Sequence, residues 1–420
     1  MKNNPPQHLM FILPESFDPH EMLPTELRRF SDDARHFVST IMRKTSRGHV
    51  DRDGNVRLAA KYLRRIMNFR KYSHVIDAML DRGVISRASY QVGVKLFGYR
   101  LSERFVNDKH VRVAATDRRL IGRLEAFYAE QARERRSRMQ PVHEALERHQ
   151  QRLSIDRDHA AEVLMRLPPK SNPWDSQNVL IRDIEDKHFR LSIGTYGRVF
   201  NNISALKREL RQALRLGKDP LSNVDIRCCQ PALLGRLAQE AAIQQAAATQ
   251  QAAAGQQAAA DAACNYDVQI GGDIGNFSRL VKNGGFYEFL MSNLQNRSRP
   301  VLTRDDVKKR FMADILAKQG NYPSVVEAVF REHFPTVHRF IRKVNRDGAE
   351  HANLIRLLQR AESDLVIGIV AADLSVRWPQ MFMLTLHDSI FATGQDIPFV
   401  VEAFEAAFQR NGYSMSLKSE

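Results

Sequence analysis

The sequence predicts an α+β protein that is rich in helix and contains a small antiparallel sheet. Through residues 36–165, apolar side chains recur at helical spacing, as they do from Leu58 to Phe69. Two apolar segments flank the pair His387-Asp388, which is the pattern of a β-hairpin. The 420 residues are 43% hydrophobic and 26% charged, which is typical of a globular chain with a large core.

The net charge of +15 is unevenly distributed along the chain. Residues 51–150 contain 22 basic and 12 acidic residues, a net charge of +10, whereas residues 351–420 contain 5 and 8, a net charge of −3. A basic region joined to an acidic tail indicates a polyanionic partner, with nucleic acid as the first choice. A solubilising surface is the alternative that charge alone leaves open.

The sequence also predicts a cytoplasmic protein without a membrane partner. The longest apolar run, Leu365 to Ala372, is far shorter than the ~20 residues that span a bilayer. The apolar start of the chain is short and ends at Pro14, so we expect no secretory signal. The three cysteines, Cys228, Cys229 and Cys264, cannot form a disulfide framework, which is typical of a reducing compartment.

Changes in composition predict six segments. Prolines punctuate both ends of the first long helical region, and strands are predicted over Val179–Ile184 and His188–Ile193. Residues 239–265 are built largely from Gln and Ala and predict an insertion that is helical or disordered. The segments are an irregular lead-in (1–35), a basic helical lobe (36–170), a part with the first carboxylate (171–238), the insertion (239–265), a helical part (266–345) and a part with the hairpin (346–420).

The first candidate site residue is Asp225. A short apolar strand carries it, and Pro231 can occupy the first turn of a following helix, where its missing N–H costs little. An acid at a turn from strand to helix is well placed to hold a metal ion. The alternative is an aspartate that caps the helix.

The second candidate is the hairpin tip, His387-Asp388. Two-residue tips normally contain Asn-Gly or Gly-X because φ is positive there. A His-Asp tip is a poor local choice, and such choices indicate functional sites. The alternative is a longer, ordinary turn.

Together, the two carboxylates predict a metal site. Asp225 and Asp388 lie 163 residues apart, each at the end of a predicted strand, and can converge on one edge of a sheet. Carboxylates with water and phosphate oxygens are the ligands that Mg²⁺ prefers. Two such ions can activate an attacking oxygen and stabilise a leaving one in phosphoryl transfer.

A cationic helix is predicted from Thr303 to Gly320. Thr303 and Asp306 have the spacing of a capping box. Arg304 and Lys308 lie one turn apart at the border of the apolar stripe, near the positive end of the helix, where they can bind a triphosphate. The alternative is a pair of cations that snorkel at the rim of a packed helix.

Taken in order, these motifs resemble those of family A DNA polymerases, over about residues 180–400. The first matches at Asp225, the second at Arg304 and Lys308, and the third at His387-Asp388. The resemblance implies that the two aspartates are catalytic metal ligands, that His387 positions the primer end, and that the two cations bind the nucleotide.

The resemblance extends to further residues. Gln230, five residues after Asp225, stands where the family has a Glu that blocks the ribose 2′-OH, which implies nucleotide contact with weaker sugar exclusion. The segment Thr195–Leu206 resembles one that touches primer and template, and implies nucleic-acid binding by Arg198 and Asn202. Gln359 resembles a glutamine of a palm helix that contacts the template.

The resemblance also implies a right-hand fold and a reaction. Residues 171–238 and 346–420 would form the palm, residues 266–345 the fingers, and the basic lobe a thumb-like duplex grip. In that lobe, Lys95 and Arg100 stand among aromatic residues, a mixture suited to a phosphate backbone. The implied activity is template-directed nucleotidyl transfer on a primer–template with nucleoside triphosphates, using two Mg²⁺ ions that Mn²⁺ can replace.

Some positions depart from the family pattern. Met312 and Leu316 stand where aromatic residues are expected after Lys308, and Ser389 follows Asp388 in place of an acid. Two rival functions therefore remain: a catalytically inactive nucleic-acid-binding protein with a polymerase-like fold, and a structural helical protein whose motifs are coincidental.

Overall fold

The computed structural model describes residues 9–89, 96–106, 108–167, 174–253, 272–295, 297 and 302–419. The chain divides into two compact units. The first unit comprises Met1–Gln140, Glu147–Ser192 and Phe200–Pro220, and the second comprises Pro141–Leu146, Ile193–Val199 and Leu221–Glu420.

The strands are short. In chain order they are β1 (Met10–Pro14), β2 (Val56–Arg57), β3 (Ile85–Ala88), β4 (Gly98–Leu101), β5 (His110–Ala114), β6 (Leu153–Ile155), β7 (Ser192–Ile193), β8 (Val199–Phe200), β9 (Leu214–Leu216), β10 (Asp219–Ile226), β11 (Leu384–Leu386), β12 (Ser389–Thr393) and β13 (Leu417–Ser419).

Helices dominate the described part of the chain. They are α1 (Pro19–Met22), α2 (Ser31–Ser46), α3 (Ala60–Ile66), α4 (Tyr72–Asp81), α5 (Glu103–Val106), α6 (Arg118–Arg136), α7 (Pro141–Gln150), α8 (Arg157–Arg166), α9 (Trp174–Glu185), α10 (Cys229–Ala253), α11 (Asp273–Lys282), α12 (Phe286–Leu294), α13 (Arg304–Arg310), α14 (Val325–His333), α15 (Pro335–Val344), α16 (Asn353–Ser363), α17 (Ala372–Arg377) and α18 (Ile397–Asn411). Wider π-type turns extend α13 through Phe311–Leu316 and follow α16 through Asp364–Ala371.

The first unit is organised around α2. Phe37, Val38 and Ile41 of this helix are at most 1% exposed, and the ring of Phe37 packs edge-on against Tyr99 at 5.0 Å between centroids. Strand β1 pairs antiparallel with β5, while β2 and β3 flank β4. The predicted basic helical lobe therefore contains strands as well as helices.

Two predictions for the first unit are wrong. The segment Val179–Ile184, predicted as a strand, lies inside α9, because a short buried apolar run fits a helix as well as a strand. The lead-in predicted to be irregular holds β1 and α1. Its prolines lie at the ends of elements, since Pro14 ends β1 and Pro19 begins α1, where its missing N–H costs little.

The second unit is built on an antiparallel sheet and several helices. Strand β12 pairs with β11 on one side and with β10 on the other, and β10 also pairs with β13. Five phenylalanines form an aromatic core among its helices, each at most 1% exposed and with successive ring centroids 5.0–6.3 Å apart: Phe277, Phe286, Phe311, Phe330 and Phe334. This core fixes the position of α13.

The predicted α+β class with an antiparallel sheet is confirmed. In the described part of the chain, no helix has the length and apolar character needed to cross a membrane.

Candidate functional site

Asp225 lies next to last in β10, at the centre of the sheet of the second unit. Its Cα is opposite Ser389 of β12 on one side and Lys418 of β13 on the other. Directly opposed residues of an antiparallel pair project to the same face of the sheet. The turn after β10 contains Cys228 with a φ of +49°, and α10 begins at Cys229 with Pro231 in its first turn, as predicted.

The hairpin predicted around His387-Asp388 is confirmed, with a two-residue tip. Leu386 pairs with Ser389, so only these two residues connect β11 to β12. His387 has a φ of +55°, which a glycine would adopt more readily, and such backbone costs about 1–3 kcal/mol. The pairing of β12 with β10 places Asp388 beside β10, where the N–H of Ile226 donates to the Asp388 carbonyl oxygen at 3.3 Å.

The two aspartates both act electrostatically on the buried thiol of Cys229. The pKa of this thiol is raised well above its usual value, first by burial and then by the negative charges of Asp388, Glu362 and Asp225. All three carboxylates therefore lie within electrostatic range of one sulfur atom. The pKa of Asp388 is itself raised, mainly by burial, while its backbone hydrogen bond and the charges of Lys308 and Arg198 oppose this rise.

Glu362 is a site residue that the sequence motifs did not identify. It is 2% exposed and accepts a hydrogen bond from the Arg198 guanidinium at 2.8 Å. The pKa of the Glu362 carboxyl is raised, mainly by burial and also by the negative charge of Asp388, while the positive charge of Arg198 opposes the rise. One signal was in the sequence: Glu362 lies three residues after Gln359, on the same face of α16.

A tight turn brings Arg198 to Glu362. The Gly194 N–H donates to the Arg198 carbonyl oxygen at 2.8 Å, and Gly197 has a φ of +81°. A Cβ at Gly197 would lie 3.2 Å from the Cβ of Ser363, next to Glu362 on α16. A glycine is required here both for the backbone angle and for this close approach.

Gln230 lies in the first turn of α10 and contacts the same carboxylate. A hydrogen bond from Gln230 lowers the pKa of Glu362. The side-chain amide oxygen of Gln230, Oε1, is buried, and no group among the described residues donates a hydrogen bond to it. An acceptor in this position can receive a hydrogen bond from a ligand hydroxyl.

The cationic helix begins as predicted. Thr303 caps α13 and forms a capping box with Asp306. Both predicted cations are exposed, but their surroundings differ. The Arg304 Nε donates to Glu288 Oε1 at 2.5 Å, and its guanidinium lies 5.3 Å from the Tyr287 ring centroid, whereas Lys308 acts on the charge of Asp388.

The helix ends earlier than predicted. Its last π-type turn closes at Leu316 rather than at Gly320, and the buried Lys318 turns inward to pair with Glu327 of α14. Buried charges require such a partner. Leu316, one of the two positions where an aromatic residue is expected, is fully buried and belongs to the core.

Of the remaining candidate residues, Gln359 shares α16 with Glu362, whereas Asn202 and Arg100 belong to the first unit. Gln359 is half-buried on α16. In the first unit, Asn202 is 8% exposed, accepts from the Arg190 N–H at 2.9 Å and donates to the His188 carbonyl oxygen at 2.9 Å. Arg100 is exposed on β4, beside a Tyr99 that is buried in the core, and Lys95 lies outside the described residues.

The donor set of the second unit fits a divalent cation only in part. Within the described ranges, no three His, Cys, Asp or Glu side chains form a group that could hold a metal ion. Asp225 and Asp388 nevertheless both act electrostatically on Cys229, and Mg²⁺ is commonly held by one or two carboxylates together with water and substrate phosphates.

Comparisons with known proteins assign no family. No model of a known protein family matches the chain, and no curated protein is significantly similar to it.

Proposed function

We propose that this protein is a template-directed nucleotidyltransferase with a polymerase-like right-hand fold. It extends the 3′-OH of a primer with nucleoside triphosphates on a nucleic-acid template. The observation that carries the proposal is the juxtaposition of Asp225, at a strand end, with Asp388, at a strained hairpin tip next to the residue that pairs with Asp225, together with the electrostatic effect of Lys308 on Asp388.

Each residue of the cluster has a role in this reaction. Asp225 and Asp388 would hold Mg²⁺, with Mn²⁺ as a substitute, and the metal would supply charge stabilisation to the attacking and leaving oxygens. Lys308 neutralises the triphosphate, and Arg304 can join it by exchanging Glu288 for a phosphate. In this transfer the primer 3′-OH would attack the α-phosphate, pyrophosphate would leave and the hydroxyl proton would pass to solvent, while positioning and electrostatics supply most of the catalysis.

The Arg198–Glu362 pair supports the cluster. A buried carboxylate is stable only with a partner, and Arg198 supplies the charge that Glu362 needs. Glu362 in turn receives the hydrogen bond from Gln230. The pair thereby restrains the Gln230 side-chain amide, whose oxygen would be the group that a sugar hydroxyl meets.

Primer extension tests the proposal. The full chain is incubated with DNA or RNA templates, each with deoxynucleotides or ribonucleotides, in Mg²⁺ or Mn²⁺. We expect template-directed incorporation in at least one combination, abolished by a chelator. Binding of primer–template without incorporation in any combination would instead support the inactive nucleic-acid-binding protein.

Gln230 is predicted to set sugar preference. We expect deoxynucleotides to be preferred only moderately, because Gln has the bulk to exclude a 2′-OH but also carries an acceptor that a hydroxyl can use. Gln230→Ala removes the bulk and should lower the preference for deoxynucleotides by about 3–10-fold, which corresponds to the free energy of one hydrogen bond. The measurement is the ratio of kcat/KM for the two sugars.

Gln244→Ala is the matched control, since Gln244 is exposed farther along α10. It should leave the ratio unchanged. An equal ratio in the parent and in Gln230→Ala would mean that Gln230 serves only to support Glu362.

A further inference from the structure

A second cluster of charged side chains lies in the first unit and takes no part in the proposed reaction. Its centre is Asp183 of α9, whose side chain is 1% exposed. Three arginines share this carboxylate: Arg43 at 3.6 Å, Arg47 at 3.3 Å and Arg112 at 3.2 Å. Their side chains are only 11–17% exposed, so solvent screens their charges weakly.

Two more cations complete the cluster. Beside the effect of burial, the positive charge of Arg190 lowers the pKa of Arg43, Lys44 and Arg47. The charge of Arg47 also lowers the pKa of Lys44. Among the described residues, neither Arg190 nor Lys44 contacts a carboxylate. The guanidinium of Arg190 lies 6.0 Å from the ring centroid of Tyr128.

The positive charges exceed the negative ones. Within the described part of the chain, the cluster contains five cations and two carboxylates, Asp183 and Asp186, of which Asp186 pairs with Arg112 at 2.7 Å. Burial, together with the positive charge of Arg190, lowers the pKa of both Arg43 and Arg47 to about 10, although Asp183 opposes the shift in each. Both arginines therefore remain charged at neutral pH, and the repulsion within the cluster persists.

Backbone contacts hold the cluster in place. Asn202 accepts from the Arg190 N–H and donates to the carbonyl oxygen of His188, which fixes the segment that carries Arg190. Arg43 and Arg47 lie one turn apart on α2, and Arg112 lies on β5. Side chains mounted on a helix, a strand and a fixed loop form a preorganised site, which lowers the entropic cost of binding an anion.

We propose that these side chains form a phosphate-binding site for a nucleic-acid strand. Guanidinium groups match phosphate oxygens with paired hydrogen bonds, and a phosphate would balance the excess positive charge. The Arg190 guanidinium lies over the half-buried Tyr128 ring, and this contact helps to position the guanidinium. The site belongs to the first unit and does not depend on nucleotidyl transfer.

Binding to a labelled oligothymidylate of about 12 nucleotides tests the proposal on the full chain. Arg190→Gln should weaken the affinity about tenfold, the effect of one charge-assisted hydrogen bond, and reduce the salt slope by about 0.7. Arg138→Gln is the control, since Arg138 is 65% exposed, lies in the same unit and pairs with the exposed Glu134 one turn earlier. It removes the same charge and should change the affinity less than twofold.

Thermal unfolding adds a second readout. Arg190→Gln should not lower the Tm in phosphate-free buffer, because it relieves repulsion, and Lys44→Gln provides a second variant with the same expectation. Equal oligonucleotide affinities for Arg190→Gln, Lys44→Gln and Arg138→Gln would overturn the proposal. Stabilisation by inorganic phosphate that Arg190→Gln abolishes, without any change in oligonucleotide affinity, would assign the cluster to free phosphate and also overturn the strand assignment.

Discussion

Replacing Asp225 or Asp388 with Asn is expected to lower nucleotide incorporation about 1,000-fold or more, a loss of ~4 kcal/mol of transition-state stabilisation. Asn keeps the shape of the side chain but removes the charge that a divalent cation requires. Single-turnover primer extension measures the loss. Primer–template affinity, measured in parallel, should change less than about twofold, because neither aspartate belongs to the basic lobe.

The double variant sharpens the test. If the two aspartates hold the same ions, the double variant should be no slower than the slower single variant, because residues that act as a unit are not additive. Asp373→Asn is the matched control. Asp373 pairs with the exposed Arg377 at 3.3 Å, and a surface ion pair contributes little. Activity within about tenfold of the parent in either single variant would remove that aspartate from the metal site.

The parts of the site that the sequence predicted are those fixed by local rules. The capping box at Thr303 and Asp306 depends on residues three apart, and the hairpin tip at His387-Asp388 depends on two short apolar arms. The strain at the tip was also predictable, since positive φ is costly for any residue with a Cβ. Each of these features requires only a few neighbouring residues.

The parts that the sequence did not predict depend on contacts between distant segments. Glu362 is identified as a site residue only because Gly197 lets the turn with Arg198 approach α16, and this contact joins residues 164 positions apart. The end of the cationic helix depends on the buried partner that Lys318 finds in Glu327. Likewise, the apolar run of α9 fits strand and helix equally until the rest of the core is in place.

Lys308→Met is expected to lower kcat/KM for the incoming nucleotide about 10–100-fold, because a charge-assisted hydrogen bond contributes about 1.5–3 kcal/mol. Most of the loss should be in KM if Lys308 binds the triphosphate equally in the ground state and the transition state, and in kcat if it acts on charge that develops during transfer. Steady-state kinetics at saturating primer–template separates the two.

Lys309→Met is the closest control that the chain offers. Lys309 is the next residue of α13, is also exposed and carries the same charge, but in the described part of the chain the cations that act on Asp388 are Lys308 and Arg198, not Lys309. It should leave kcat/KM within about twofold. Arg304→Gln should have a smaller effect than Lys308→Met, because Arg304 must first release Glu288 to reach a phosphate. Equal effects of Lys308→Met and Lys309→Met would show that α13 contributes only general positive charge, and the triphosphate would then have to bind elsewhere in the cluster.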